Sequence, residues 1–304
     1  MVRGNRPMTL VGAGYRPELS GLFHSEQPAV DCFELIADRY FGDKGFGRAW
    51  ELRRIADVPK ITHGLCGNAA SVHGPETAYL EQIRRLADAI DAIAYSDHLA
   101  LTGVTGRALG HLAPNLFDDE LLAAACRNIT KMVDATGRRV RLENLATKTM
   151  ITGSAYTPET FYLRLLEESE EWDCLLDLTN IWINSRNRDV DPVEFIDAIP
   201  PHRIGYIHLA GGMLSQGEWV DSHSNAVHAE VFELLDYLLA RAAPDAIIIE
   251  RDTNWTGAET ELRDDLSRVR QIVAKHQPPD TPRPAQFAGA GEPQPTAAGA
   301  KGAR

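Results

Sequence analysis

Glutamate, aspartate and histidine close one short apolar run after another along this chain. Val30 to Glu34, Lys60 to His63, Ile93 to His98 and Val140 to Glu143 each stop on a metal-ligand type, and so do Cys174 to Asp177, Ile204 to His208 and Ile247 to Glu250. A parallel strand covered by helices on both sides reads as a continuous hydrophobic run. An ionisable group ending such a run costs burial energy unless it is paired or bound to something. Any one of them has a plain structural account: a hydrogen-bonded His, Asp177 capping the segment after it, Glu250 paired with Arg251. Recurring always at the same end of the run, they describe a ring of ligands around the mouth of a barrel. Asp221 and His223 add an Asp-x-His, expected on the loop after the Ile204 to His208 strand.

The resulting set is His63, His98, Glu143, Asp177, His208, Asp221, His223 and Glu250. Imidazole with carboxylate suits Fe, Mn or Zn, and the lack of a thiolate set argues against a structural zinc site. The set exceeds the needs of one ion. Two or three metals sit together, with Glu143 the best bridge, or several of these residues stand behind the ligands. His24, His73, His111, His202, His228 and His276 lie outside the ring and read as surface or structural residues.

What must position the ring is a set of strands alternating with helical segments. Helical periodicity is clearest over Pro75 to Asp91, Asp118 to Thr136, Pro158 to Glu171, Pro192 to Ile199 and Ala229 to Ala242. Pro75, Pro158 and Pro192 take first-turn positions, Asp191 with Glu194 reads as a capping box, and Gly137 suits a left-handed C′ residue. With a first strand at Thr9 to Ala13 the strands number eight, the order of a (β/α)8 barrel in a single domain. A doubly wound open sheet would instead gather site residues near one switch point.

The 304 residues exceed the roughly 250 that such a barrel needs. From about Gln277 proline, alanine, glycine and threonine dominate, which predicts a disordered tail over 277–304, a barrel over 9–276 and an N-terminal arm over 1–8. The net charge of −12 disfavours nucleic acid, which wants a basic footprint, though exposed glutamates such as Glu167, Glu168, Glu170 and Glu171 explain much of it. No run approaches the roughly 18 apolar residues of a membrane helix, and the basic N-terminus lacks a signal peptide's apolar stretch, so a cytoplasmic location is expected. Cys32, Cys126 and Cys174 read as reduced core residues; Cys66, in a Gly-flanked loop after His63, is a candidate for touching substrate or metal.

Thr62-His63-Gly64, Ser96-Asp97-His98-Leu99, Leu142-Glu143-Asn144, Leu176 to Asn180 and Ile207 to Gly211, in this order and spacing, resemble the DUF692 family. Asp221-Ser222-His223, Ile249 to Asp252, Gly14 to Pro17 and Phe33-Glu34-Leu35 extend the resemblance from about Leu10 to Val273. These are the multinuclear non-heme iron dependent oxidative enzymes, among them the methanobactin biosynthesis oxidase. The resemblance implies a triose-phosphate-isomerase-like barrel with two or three irons (Fe2+/Fe3+). It also implies O2-dependent modification of a ribosomally made precursor peptide, often at cysteine, commonly with a separate peptide-recognition partner protein. Its ligands fall on the eight residues above, with Asn144 and Asn180 close to the metals and Glu34 and Cys66 as further candidates. The chain departs from the family pattern at Ser224 to Val227, Leu145 to Thr147, Thr179 and Gly64-Leu65-Cys66, all expected at the mouth.

The expected activity is therefore an iron-dependent oxidase or oxygenase acting on a peptide side chain, with Glu143, Asp221 and His223 as catalytic residues. The residues supply the metal cage; only the resemblance supplies oxidative chemistry. A metal-dependent isomerase or phosphoester hydrolase on the same barrel is the alternative, although no strand end offers the lysine a sugar isomerase wants. A non-catalytic metal-binding protein is the third reading.

Overall fold

The computed structural model describes residues 8–24, 28–52, 57–104 and 107–277. The predicted tail, apart from Gln277, and the arm before Met8 lie outside the described residues. Eight strands run parallel and close on themselves: β1 (Leu10–Gly14), β2 (Cys32–Ile36), β3 (Lys60–His63), β4 (Ala94–His98), β7 (Val140–Glu143), β8 (Trp172–Asp177), β9 (Ile204–Ser215) and β11 (Ala246–Glu250). Each pairs with the next in that order, and β11 returns to β1. This is a TIM barrel. Helices fill the connections: α1 (Gly42–Leu52), α2 (Thr77–Ala89), α3 (Asp119–Thr136), α4 (Pro158–Glu168), α5 (Leu178–Asn187), α6 (Pro192–Ala198), α7 (Ala229–Leu239) and α8 (Ala258–His276).

Side chains alternate along a strand with period two, so the residue two before an inward-facing donor also faces inward. Those positions plug the barrel. Cys32, Ile61, Leu175, Tyr206 and Ile248 stand two residues ahead of Glu34, His63, Asp177, His208 and Glu250, and all five are buried in one inner cluster with Leu10, Ala94 and Ala246. Arg141, two before Glu143, closes the same layer by stacking 4.2 Å over the Tyr206 ring and bonding Asp245 at 2.9 Å. A packed floor, apolar but for Arg141 and the Tyr206 hydroxyl, therefore lies beneath the ring of donors. Outside the barrel a second, larger cluster fills the space between strands and helices.

Several caps follow from the sequence. Asp118 accepts from the Leu121 N–H, Gly137 sits at φ 66° after α3, and Thr157 with Pro158 opens α4. Asp191 accepts from the Val193 and Glu194 N–H groups. Pro75 is a correction: α2 begins only at Thr77 with Glu76 as N-cap, and the Pro75 carbonyl instead accepts from Lys131 at 2.7 Å. Gln277 is another, because its side chain bonds Thr9 at 2.9 and 2.8 Å and so belongs with the barrel, not with the tail.

Two hairpins rise above the C-terminal face. One joins β5 (Leu101–Val104) to β6 (Arg107–Ala113). The other is made by β9 running past the barrel rim to pair antiparallel with β10 (Glu218–Asn225). Asp221 and His223 were expected on a loop; they stand on β10. A strand pattern was not legible there because the two apolar residues of the segment, Trp219 and Val220, are adjacent and do not alternate with polar ones.

Candidate metal centre

Register places the donors on one level. His98 pairs with Glu143 across β4 and β7, and Asp177 pairs with His208 across β8 and β9. Among the described residues, the eight expected ligands together with Glu34 form four overlapping groups able to hold a metal ion. They are Glu34–His63–His208, His63–His98–Glu143, Glu143–Asp177–His208–Glu250 and Asp177–Asp221–His223. His63, Glu143, His208 and Asp177 each belong to two groups, which makes them the shared edges. Glu143 Oε2 lies 3.5 Å from His63 Nε2, 3.4 Å from His98 Nε2 and 3.8 Å from His208 Nδ1. Glu34 is closer to the centre than a strand-end reading suggests: β2 continues to Ile36, and Glu34 contacts His208 Nε2 at 3.1 Å.

Three of the four imidazoles are oriented from behind. His63 Nδ1 meets Ser96 Oγ at 2.9 Å, His98 Nδ1 the Gly64 carbonyl at 3.2 Å, and His223 Nδ1 the Asp252 carboxylate at 2.9 Å. Such outer partners fix the tautomer and aim the other ring nitrogen at a metal. Asn144 and Asn180 play a bracing part. Asn144 accepts from the Asp177 N–H at 2.9 Å and donates to the Asp177 carbonyl, while Asn180 donates to the Asn144 carbonyl.

The chemistry of the donor set fits a cation. Glu143 Oε2, Asp177 Oδ2, His208 Nδ1, Asp221 Oδ1 and His223 Nε2 are buried and have no hydrogen-bond partner. Asp221 Oδ1 and His223 Nε2 are 2.8 Å apart, and His208 Nδ1 and Glu250 Oε2 3.1 Å apart, yet His223 Nε2 and His208 Nδ1 still lack a hydrogen bond. Buried polar atoms are nearly always partnered, so orphans that face one another call for an ion. Titration tells the same story. Burial, then the neighbouring His98 and His208, pushes the His63 pKa well below its usual value. Burial, then Asp221 and Glu143, pushes Asp177 well above the usual carboxylate range. Burial opposes charge on His208, but Glu34 and Glu250 still hold its pKa well above the ordinary value. For Glu250 burial also opposes charge, and His208 and His223 outweigh it to hold the carboxyl well below.

A cavity of about 470 Å³ opens onto this centre, with Glu143, His98, Asp221, His223 and Asn180 in its floor. Leu112 of β6 and Pro114 just after it, Ala146 and Lys148 on the loop after β7, Ile183 of α5, and Trp219 and Val220 of β10 form its walls. Asn187 accepts from the Trp219 N–H at 2.8 Å and donates to its carbonyl at 2.7 Å, fixing the tryptophan. Lys148 is a lysine near the donors that no strand end predicted; it pairs with Glu218 at 3.1 Å.

Cys66 does not join the centre. It lines a separate cavity of about 210 Å³ with Glu76, Tyr79 and Arg107, and burial followed by Asp38 pushes its thiol up to about 12. Four contributors were not singled out for a role from the sequence: Ser96, Asp97, Arg16 and Asp252. Asp97 accepts from Tyr95 at 2.8 Å and from the Gly67 N–H at 3.2 Å, tying the loop after His63 to β4. All four sit inside the recurring motifs beside the ligands, which was the available signal.

A UPF0276 protein of Acaryochloris marina is 31% identical over 270 residues, spanning 88% of this chain and 96% of its own. A UPF0276 protein of Caulobacter vibrioides is 32% identical over 278 residues, spanning 89% and 97%. Among solved structures, a xylose isomerase domain protein from Planctomyces limnophilus superposes with a TM-score of 0.59 at 14% identity, over 88% of this chain and 99% of that one. Endonuclease IV from Thermus thermophilus does so with 0.55 at 15% identity, over 86% and 99%. At such identity these two share the fold alone. Residues 10–274 match the family described as RiPP precursor modification enzyme MbnB/TglH/ChrH, and the chain belongs to that family.

Proposed function

We propose that this protein is a multinuclear iron-dependent oxidase or oxygenase that uses O2 to modify a cysteine of a ribosomally made precursor peptide, delivered by a separate recognition protein in the cytoplasm. The observation that carries the reading is the overlap of four donor groups through Glu143, Asp177, His63 and His208, directly below a cavity large enough for a peptide side chain. Membership of a peptide-modifying family supports the substrate class.

His63, His98, Glu143, Asp177, His208, Asp221, His223 and Glu250 would hold two or three ions, with Glu143 and Asp177 as bridges. Iron held there supplies one-electron redox chemistry and O2 activation. The remaining work belongs to the chain. Leu112, Ile183, Trp219 and Val220 would exclude water around an entering side chain, which strengthens every electrostatic interaction beneath it. Asp221 and His223 are only half-buried and line the cavity, so they meet the substrate first and Glu143 meets it from below.

The test supplies iron-reconstituted protein with the precursor peptide and its recognition partner, then follows O2 uptake and peptide mass. Coupled O2 consumption and a mass change at cysteine are expected. Turnover unchanged without O2, or with zinc alone, would reject oxidation and favour a metal-dependent hydrolase or isomerase.

A further inference from the structure

The hairpin bearing Asp221 and His223 is not part of the barrel wall. Among the described residues β10 pairs only with the overhang of β9, and the register breaks between Val220 and Asn225, across the segment that carries both donors. His223 itself sits at φ 49°, a left-handed conformation that a non-glycine residue adopts only at a cost. Something outside the hairpin must hold it.

Asp252 does so twice. Its N–H donates to the His223 carbonyl at 2.9 Å, and its Oδ2 accepts from His223 Nδ1 at 2.9 Å. Its other oxygen, Oδ1, accepts from Arg16 Nε at 2.7 Å and lies 2.6 Å from Nη2 in the same ion pair, although Nη2 itself makes no hydrogen bond. The Arg16 side chain is 1% exposed and donates from Nη1 to the Tyr15 carbonyl at 2.9 Å. Arg16 follows β1 and Asp252 follows β11, which are neighbours in the wall. The clamp therefore ties the hairpin to two adjacent rigid strands.

We propose that Asp252, locked by Arg16, is the positioning residue that makes His223 a metal donor and so completes the Asp177–Asp221–His223 position, which shares only Asp177 with the donors on the barrel wall. This rests on the metal reading of the centre. The division of Asp252's oxygens gives the argument its edge. An asparagine there has one oxygen, and the Arg16 donors claim it. The amide NH2 must then face His223 Nδ1, which becomes the acceptor. The proton moves to Nε2, the atom that points at Asp221, and a protonated nitrogen cannot ligate.

The experiment titrates metal-free wild type, D252N, H223A and the double variant with Fe(II) anaerobically, counting bound metal after gel filtration. Parallel Co(II) titrations follow the visible absorption bands of each occupied position. D252N is expected to weaken one ion by about 10–100-fold and leave the others at wild-type affinity. The double variant should match H223A, because the clamp acts only through that imidazole. R16K, which keeps a cation but loses the two-point grip, should weaken the same ion, and it carries the test should D252N not fold. Wild-type affinity in a folded D252N or R16K, loss of every ion in a variant that keeps its fold, or additive losses in the double variant would overturn the proposal. A wild type that binds no metal would instead overturn the metal reading itself.

Discussion

Asp177 accepts the Asn180 N–H through Oδ1 at 2.6 Å, while its Oδ2 is buried without a partner. One carboxylate thus caps α5 and faces the donor ring. Asparagine preserves the cap and removes the charge that burial, Asp221 and Glu143 disfavour. Metal-free D177N should therefore be at least as stable as metal-free wild type, whereas D177A should lose about 1 kcal/mol with the cap and more with the void. Both should bind less metal. Denaturant melts beside metal counts check this; equal destabilisation of the two variants would show that the cap is not separable from the site.

Gly64 follows His63 with almost no room. A Cβ there would fall against the Asp97 carboxylate and the Tyr79 hydroxyl, which are held in a buried network. G64A should cost about 1–3 kcal/mol as an overpacked site and weaken metal binding through His63 and His98, whose Nδ1 rests on the Gly64 carbonyl. Thermal melts and Fe(II) titration of G64A provide the check.

Asp265, on α8 and away from the centre, accepts the Val227 N–H at 3.0 Å, and burial, its main perturbation, raises its pKa from 3.8 to about 6. With the folded value above the unfolded one, the stability tied to its proton is present below pH 3.8 and lost as pH rises through about 6. D265N has no proton to lose. Its advantage over wild type should be small near pH 4 and grow to about 1–2 kcal/mol above pH 7, after discounting for partial solvent access. Denaturant unfolding at those two pH values measures it; a larger advantage at the acidic end would reverse the sign.

Removing Pro278 to Arg304 should leave folding and metal content intact, since Gln277, which bonds Thr9, is retained. Soluble yield and bound iron of the truncated chain decide this.

The barrel and most of its ring were legible because a buried strand advertises itself as an apolar run, and a donor ending that run stands out against its burial cost. Glu34 was harder to place, since Leu35 and Ile36 prolong β2 beyond it. The hairpin donors were readable as Asp-x-His, but their strand was not: β10 is half-exposed and its apolar residues, Trp219 and Val220, are adjacent, so no period-two hydrophobicity marks it. The Arg16–Asp252–His223 clamp joins residues 236 and 29 apart in sequence. Only closure of β11 against β1 brings them together, and nothing local in the chain encodes that contact. Cys66 follows His63 closely in sequence, but the turn after His63 carries its thiol into the neighbouring cavity.

Four overlapping donor groups should hold more than one metal ion, and the number of ions bound per chain decides it. Elemental analysis of anaerobically purified, iron-reconstituted protein, with anomalous scattering at the iron edge to place the ions, should give two or three per chain within carboxylate-bridging distance, with Glu143 between two of them. A single ion, or none, in fully reconstituted protein would contradict the account.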